Sequence, residues 1–291
     1  MTSKELFERV KRVEIKAKGL VNSAFAGRYH SAFKGRGMAF SEVRAYQAGD
    51  DVRDIDWNVT ARHDAPYVKL YEEERELTLM LAVDMSRSLD FGTIGETKRE
   101  LVAEIAATLA FSAMENSDKV GVALYTDRVE KYIPPAKGRR HILYIIRELL
   151  SFRAEGKGTN TEAALDFLNG VLKKRATLFL MGDFIADELS ETYRKRLMLT
   201  SLRHDLMAIE VSDRREADLT PMGLVQFEDL ETGRTAWVNT SSRKVREEYH
   251  RQFTEARDRH AAMLRRMGID YTEVSCGEDF ALPLMRLFAK R

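Results

Sequence analysis

The chain has 291 residues, 44% of them hydrophobic and 32% charged, which reads as a globular protein with a sizeable core, long enough for one large α/β domain with additions or for two modest domains. With 47 Lys and Arg against 46 Asp and Glu, the formal charge of +1 removes any global electrostatic reason to expect nucleic acid or an anionic membrane as partner. The single cysteine, Cys276, excludes an intrachain disulfide and fits a reducing compartment. No apolar run approaches the ~20 residues of a membrane-spanning helix. The first residues carry charges throughout, unlike a signal peptide, so a cytoplasmic location and no membrane insertion are expected.

In chain order, Leu6, Val10, Val13, Ala17 and Leu20 recur at helical spacing, with Thr2 and Glu5 placed as a capping box. This stripe is expected to dock on the protein's own core. The basic stretch 27–37 reads as a solvated loop. Residues 38–76 then favour short β segments, at 38–46, 52–62 and 66–74, with turn-like stretches between them. Residues 1–76 are therefore set apart as an N-terminal helix and β-rich segment, and 77–291 as the main domain. The acidic cluster of the N-terminal segment, Asp50, Asp51, Asp54 and Asp56, lies among Arg44, Arg53 and Arg62. That interleaving points to Arg–carboxylate pairs and turn contacts rather than to a metal or nuclease centre. Trp57 is read as a packing anchor.

From Leu77 apolar strands alternate with helices. Strands are expected at 77–83, 119–125, 128–133, 176–182, 204–211 and 269–275. Helices are expected after Thr97 and Glu100 (a capping box) and over 139–152, 161–174, 189–202, 243–267 and 279–291. Strands apolar along their whole length suit a mainly parallel sheet covered on both faces, and the alternation gives a doubly wound α/β fold. A β-hairpin, turning near Thr232-Gly233, interrupts this order within an insertion at about 213–242. His141 reads as a residue at the edge of an apolar helix face, and Cys276 as a small buried side chain.

Open parallel sheets bind ligands beyond the carboxyl ends of their strands. Three polar signals fall at such ends: Asp84, Ser86 and Ser88 in Asp-x-Ser-x-Ser after the first strand, Thr159 in a Gly-rich loop opening a helix, and Asp183 after a later strand. Each has a plain alternative, since Ser86 and Ser88 suit a turn, Asp183 a turn or cap, and Thr159 with Glu162 a capping box. Together they are two carboxylates and three hydroxyls, all hard oxygen donors. They suit Mg²⁺ or Mn²⁺ with water completing the shell, and not zinc.

This arrangement resembles the metal-ion-dependent adhesion site of von Willebrand factor type A domains, with all five positions filled. The resemblance implies that Asp84, Ser86, Ser88, Thr159 and Asp183 hold a divalent cation, directly or through water, and that a partner's carboxylate completes its coordination. The stretch before the first strand closely resembles the signature of the bacterial domain-of-unknown-function family fifty-eight. The signature is carried by Gly37, Phe40, Arg44, Tyr46, Gly49, Asp50, Asp51, Arg53, Ile55, Asp56, Trp57, Ala61 and Arg62. Members of that family join such a segment to a type A-like domain and commonly accompany MoxR-type AAA+ ATPases. The resemblance thus implies a metal-dependent adaptor for such an ATPase, not an enzyme.

Two other classes stay open. A phosphatase of the haloacid-dehalogenase type also places an aspartate after the first strand with Mg²⁺ beside it. It usually needs a second carboxylate two residues on, where this chain has Ser86. No GxxxxGK[ST] loop is present for nucleotide hydrolysis. A nucleic-acid-binding scaffold rests only on the basic stretch 27–37, and its mark is a steep salt dependence of binding.

Overall fold

The computed structural model describes residues 3–21, 25–32, 38–62, 65–73, 77–93, 95, 97–156, 158–184, 190–228 and 235–290. They fall into two compact units, one of residues 1–32 with 78–291 and one of 33–77.

The larger unit opens with α1 (Ser3–Leu20) and α2 (Ala26–Ala32). Its sheet is built from β3 (Thr78–Asp84), β4 (Lys119–Tyr125), β5 (Val129–Ala136), β6 (Thr177–Gly182), β7 (Asp205–Ser212) and β10 (Asp270–Ser275), in the order β10-β7-β6-β3-β4-β5. All neighbours are parallel except β4 and β5. Every residue of β6, and all of β3 after Thr78, is buried. This is why these strands read as unbroken apolar runs rather than alternating ones.

Helices cover both faces, as a doubly wound fold requires. On one face lie α4 (Lys98–Glu115) and α5 (Arg139–Ser151), with α1 packed across both, and α10 (Ala281–Ala289) beside α2. The other carries α6 (Thr161–Val171), α7 (Glu191–Arg203) and α9 (Arg243–Arg266) over a core that includes Leu165, Leu168, Leu178, Leu180, Leu197 and Leu264. Burial of α4 runs almost all round, because the sheet lies on one side and α1, α2 and α5 on others.

The N-terminal stripe docks on the protein's own core. Val13, Ala17 and Val21 are buried, Arg9 pairs with Glu100 at 2.7 Å, and Lys16 pairs with Glu104. The helical part of residues 1–76 thus packs with the α/β unit. Thr2, proposed as its cap, lies outside the described residues. The reading of 27–37 as a solvated loop fails at its start: Ala26–Ala32 is helical, and Tyr29 is 1% exposed, edge-on to Phe288 at 5.9 Å. The ring outweighs its polar neighbours because burying it removes a large apolar surface from water. His141 sits at a helix edge, its Nε2 2.8 Å from the Val120 carbonyl, and Cys276 is buried.

The smaller unit pairs β1 (Met38–Ala45) with β2 (Tyr67–Glu73) antiparallel. The stretch expected as a middle strand is instead a 3₁₀ turn at Val52–Asp54 and a one-turn helix, α3 (Trp57–Thr60). The aspartates decide this, since Asp51 accepts the Arg53 amide and Asp56 accepts those of Asn58 and Val59. Arg44 holds Asp50 through two hydrogen bonds of 2.9 and 2.8 Å. For these residues the acidic cluster is structural. Trp57 does not serve as an anchor, being 68% exposed at the start of a helix too short to fold it inward.

Between β7 and α9 stand α8 (Arg214–Ala217) and a hairpin of β8 (Leu224–Glu228) with β9 (Thr235–Asn239), in register Leu224↔Asn239. Thr232 and Gly233, where the turn is expected, lie outside the described residues.

Candidate functional site at the carboxyl ends of the strands

Asp84 ends β3, next to β6, and the two strands pair up to Val83↔Met181. Its side chain folds toward Gly182. A Cβ built on that glycine would lie 3.0 Å from Asp84 Cβ and 3.5 Å from its Oδ2. Glycine in a strand interior marks such a close approach, and here it makes room for a carboxylate that is 1% exposed.

The loop after Asp84 is built from the same side chain. Asp84 Oδ1 accepts the Ser86 amide at 2.7 Å, which turns the chain into the 3₁₀ stretch Arg87–Asp90. Ser86 Oγ and Ser88 Oγ lie 2.9 Å apart. From the far side, Thr159 Oγ1 donates to Asp84 Oδ2 at 3.4 Å. The cap of α6 is not Thr159 but Asn160, whose side chain accepts the Ala163 amide. Glu162, the other half of the expected capping box, accepts from Ser190 Oγ instead. The threonine hydroxyl is therefore directed at Asp84.

The Thr159 loop is itself fastened. Glu130 accepts the amides of Glu155 at 2.9 Å and Gly156 at 2.8 Å as well as the Thr126 hydroxyl, and Asn160 donates to the Thr126 carbonyl. Burial alone would raise the Glu130 carboxyl, but these donors and Arg128 hold it below its ordinary 4.5. Its contribution to stability is therefore present above pH ~4.5 and is lost as pH falls through the lower folded value. Glu130→Gln is expected to cost about 1–3 kcal/mol at neutral pH. The gap between wild type and variant should be smaller at pH 3 than at neutral pH, measured by urea unfolding at the two pH values. A gap of equal size at both would remove the anchoring role.

Asp183 follows Gly182, and its setting was not foreseen. Lys98 is fully buried and donates to Asp183 Oδ2 at 2.8 Å and to Glu216. Burial would lower the Lys98 ammonium, yet the charges of Asp183 and Glu216 outweigh it and raise it. Burial likewise pushes the Glu216 carboxyl up, against the pull of Lys98. Glu216 belongs to a capping box with Asp213, which in turn accepts the Thr93 amide and hydroxyl at 2.9 and 2.7 Å. Phe184, directly after Asp183, is a non-glycine residue at φ 52°, a left-handed conformation that its packed surroundings must hold. The sequence carried two signals for these residues. One is a lysine at the first position of a capped helix, where the helix dipole disfavours a cation. The other is a glycine ending an apolar strand.

Asp84, Ser86, Ser88 and Thr159 are thus joined in one hydrogen-bonded cluster, while Asp183 reaches the same strand ends engaged by Lys98. Among the described residues no group of three or more His, Cys, Asp or Glu is placed to hold a metal ion. The candidate set is two carboxylates with three hydroxyls. Such hard oxygen donors fit Mg²⁺ or Mn²⁺, which keep several waters, and the space that Gly182 leaves for Asp84 fits the same purpose. Beside the cluster, an open cleft of about 500 Å³ is lined by Arg87, Arg99, Arg153, Met85 and Phe152, with Asp90 tied to Arg99 at 2.7 Å.

Fold and crevice define an α/β module that gathers carboxylates and hydroxyls from three loops beyond a mainly parallel sheet. The chain belongs to the family described as protein of unknown function DUF58, which matches residues 42–259. The uncharacterized protein Rv1480 of Mycobacterium tuberculosis is 28% identical over 289 residues, covering 99% of this chain and 90% of that protein. The uncharacterized protein YeaD of Bacillus subtilis is 28% identical over 109 residues, 38% of this chain and 25% of its own length. Among solved structures, an aerotolerance-related membrane protein from Bacteroides fragilis aligns with 74% of this chain and 97% of its own at 15% identity, with a TM-score of 0.49. A von Willebrand factor type A protein from Catenulispora acidiphila aligns with 77% and 43% at 11% identity, with a TM-score of 0.36. Among the described residues, no helix is long and apolar enough to cross a membrane.

Proposed function

We propose that this protein is a cation-dependent protein-binding module of the von Willebrand type A kind, and not an enzyme. Asp84, Ser86, Ser88 and Thr159, with Asp183, would hold Mg²⁺ or Mn²⁺. The bound ion would supply an electrophilic position open to a carboxylate of a partner protein. One observation carries this reading: the Thr159 hydroxyl, released from helix capping by Asn160, is directed at the same aspartate that organises Ser86 and Ser88. Arg87 and Arg153, which make no ion pair among the described residues, line the adjoining cleft and suit an acidic partner surface. By its family resemblance the partner is a MoxR-type AAA+ ATPase, and the setting cytoplasmic.

The expected result is that wild type binds Mg²⁺ by titration calorimetry, whereas Asp84→Ala loses at least tenfold in affinity while keeping its circular dichroism spectrum. Capture from native extract should then retain an AAA+ ATPase in Mg²⁺ and lose it in EDTA or with the variant. Equal Mg²⁺ binding by Asp84→Ala would sink the site. Hydrolysis of p-nitrophenyl phosphate that depends on Asp84 would favour the phosphatase reading instead, and steeply salt-dependent DNA or RNA binding the scaffold reading.

A further inference from the structure

Lys98 occupies a place that is unfavourable on two counts. It is 0% exposed, and an isolated buried ammonium is strongly disfavoured. It is also the first residue of α4, with Thr97 as the cap, so the helix dipole opposes its charge. What holds it there is a pair of carboxylates on different segments, Asp183 after β6 and Glu216 in α8. Asp183 is a member of the proposed cation site, and Gly182 beside it receives the side chain of Asp84. Lys98 thus joins Asp183 to Glu216, while Asp84 lies against the glycine that precedes Asp183.

We propose that Lys98 is a tethered competitor for the divalent cation, so that its ammonium and the metal draw on the same Asp183 carboxylate. This rests on the metal reading above. Glu216 is the second acceptor, which keeps Lys98 partnered when the cation draws on Asp183. Lys98 therefore weakens metal binding and Glu216 restores part of it. A site tuned in this way holds its ion loosely until a further negative charge arrives, which is what a partner's carboxylate brings.

The test is Mn²⁺ binding, read from the electron paramagnetic resonance signal of the free ion, for wild type, Lys98→Met, Glu216→Gln, the double variant and Asp84→Ala. Lys98→Met is expected to bind about tenfold or more tighter, from the removal of one nearby positive charge, and Glu216→Gln to bind weaker than wild type. Because Lys98→Met leaves Asp183 and Glu216 without their cation, it can fail to fold. The comparison of the double variant with Glu216→Gln then decides, and the double variant is expected to bind tighter. If it binds equally or more weakly while Asp84→Ala abolishes binding, the competition is refuted and the metal site stands. If wild type and every variant leave the free-ion signal unchanged, both fall.

Discussion

Replacing Arg257 with alanine is expected to cost about 3–5 kcal/mol, because it strands a buried carboxylate. Glu210, near the end of β7, is 2% exposed and pairs with the Arg257 guanidinium of α9. Tyr271 on β10 donates to the other oxygen of the same carboxylate at 2.8 Å. Burial pushes the Tyr271 hydroxyl up, and the neighbouring Glu210 charge adds to the shift. For Arg257 burial acts to lower the guanidinium, and Glu210 and Glu273 outweigh it. Without Arg257 the carboxylate must stay charged without its cation or take up a proton. Either way the folded state loses. Urea unfolding at neutral pH measures the loss. Arg257→Met combined with Glu210→Met removes both charges and should recover most of it. A cost below about 1 kcal/mol for Arg257→Ala would show that solvent or Glu273 satisfies the network instead. The consequence reaches the site, because Glu210 pairs in register with Gly182, next to Asp183. On the same side His260 meets the Tyr193 hydroxyl at 3.0 Å and lies against the Phe184 ring.

How far the sequence could be read depended on whether a residue's role is local. The parallel sheet was legible because buried strands have no polar face to alternate with, so 119–125 is the observed strand without correction. The capping box at Thr97 and Glu100 was legible for the same reason, both partners lying within one turn. Thr159 shows the limit. Two caps stand side by side there, and only the fold decides that Asn160 takes the helix while Thr159 turns to an aspartate 75 residues away. Lys98 lies further beyond reach. Its partners are 85 and 118 residues on, and nothing local to it reveals two carboxylates. The middle of the 38–76 segment was misread because its apolar and β-branched residues suggested a strand, whereas Asp51 and Asp56 cap helical turns. The Trp57 side chain was expected inside on size alone, although a 45-residue unit has little interior to offer it.

Gly182→Val is expected to damage the candidate site more than any substitution that leaves its five donors in place. A single Cβ at this position comes to 3.0 Å from Asp84 Cβ, so alanine already forces a shift of a few tenths of an ångström. Valine adds two methyl groups and is stiff about χ1, and β3 and β6 are central strands with no free edge along which to yield. The relief must come from Asp84, which would swing off the Ser86 amide and away from Thr159. Overpacking of this kind costs about 1–3 kcal/mol. The larger effect is on cation binding, because the displaced carboxylate is the hub to which Ser86 and Thr159 are tied. Mg²⁺ affinity should fall at least tenfold in Gly182→Val and by less in Gly182→Ala, with β-sheet content by circular dichroism unchanged in both. The order Gly, Ala, Val is the informative part, since a loss that followed stability alone would be reproduced by Ile145→Ala, a core truncation in α5 that removes none of the site's hydrogen-bonding groups. Should Gly182→Val bind Mg²⁺ like wild type, Asp84 cannot be the residue that holds the ion, and the crevice is a structural turn.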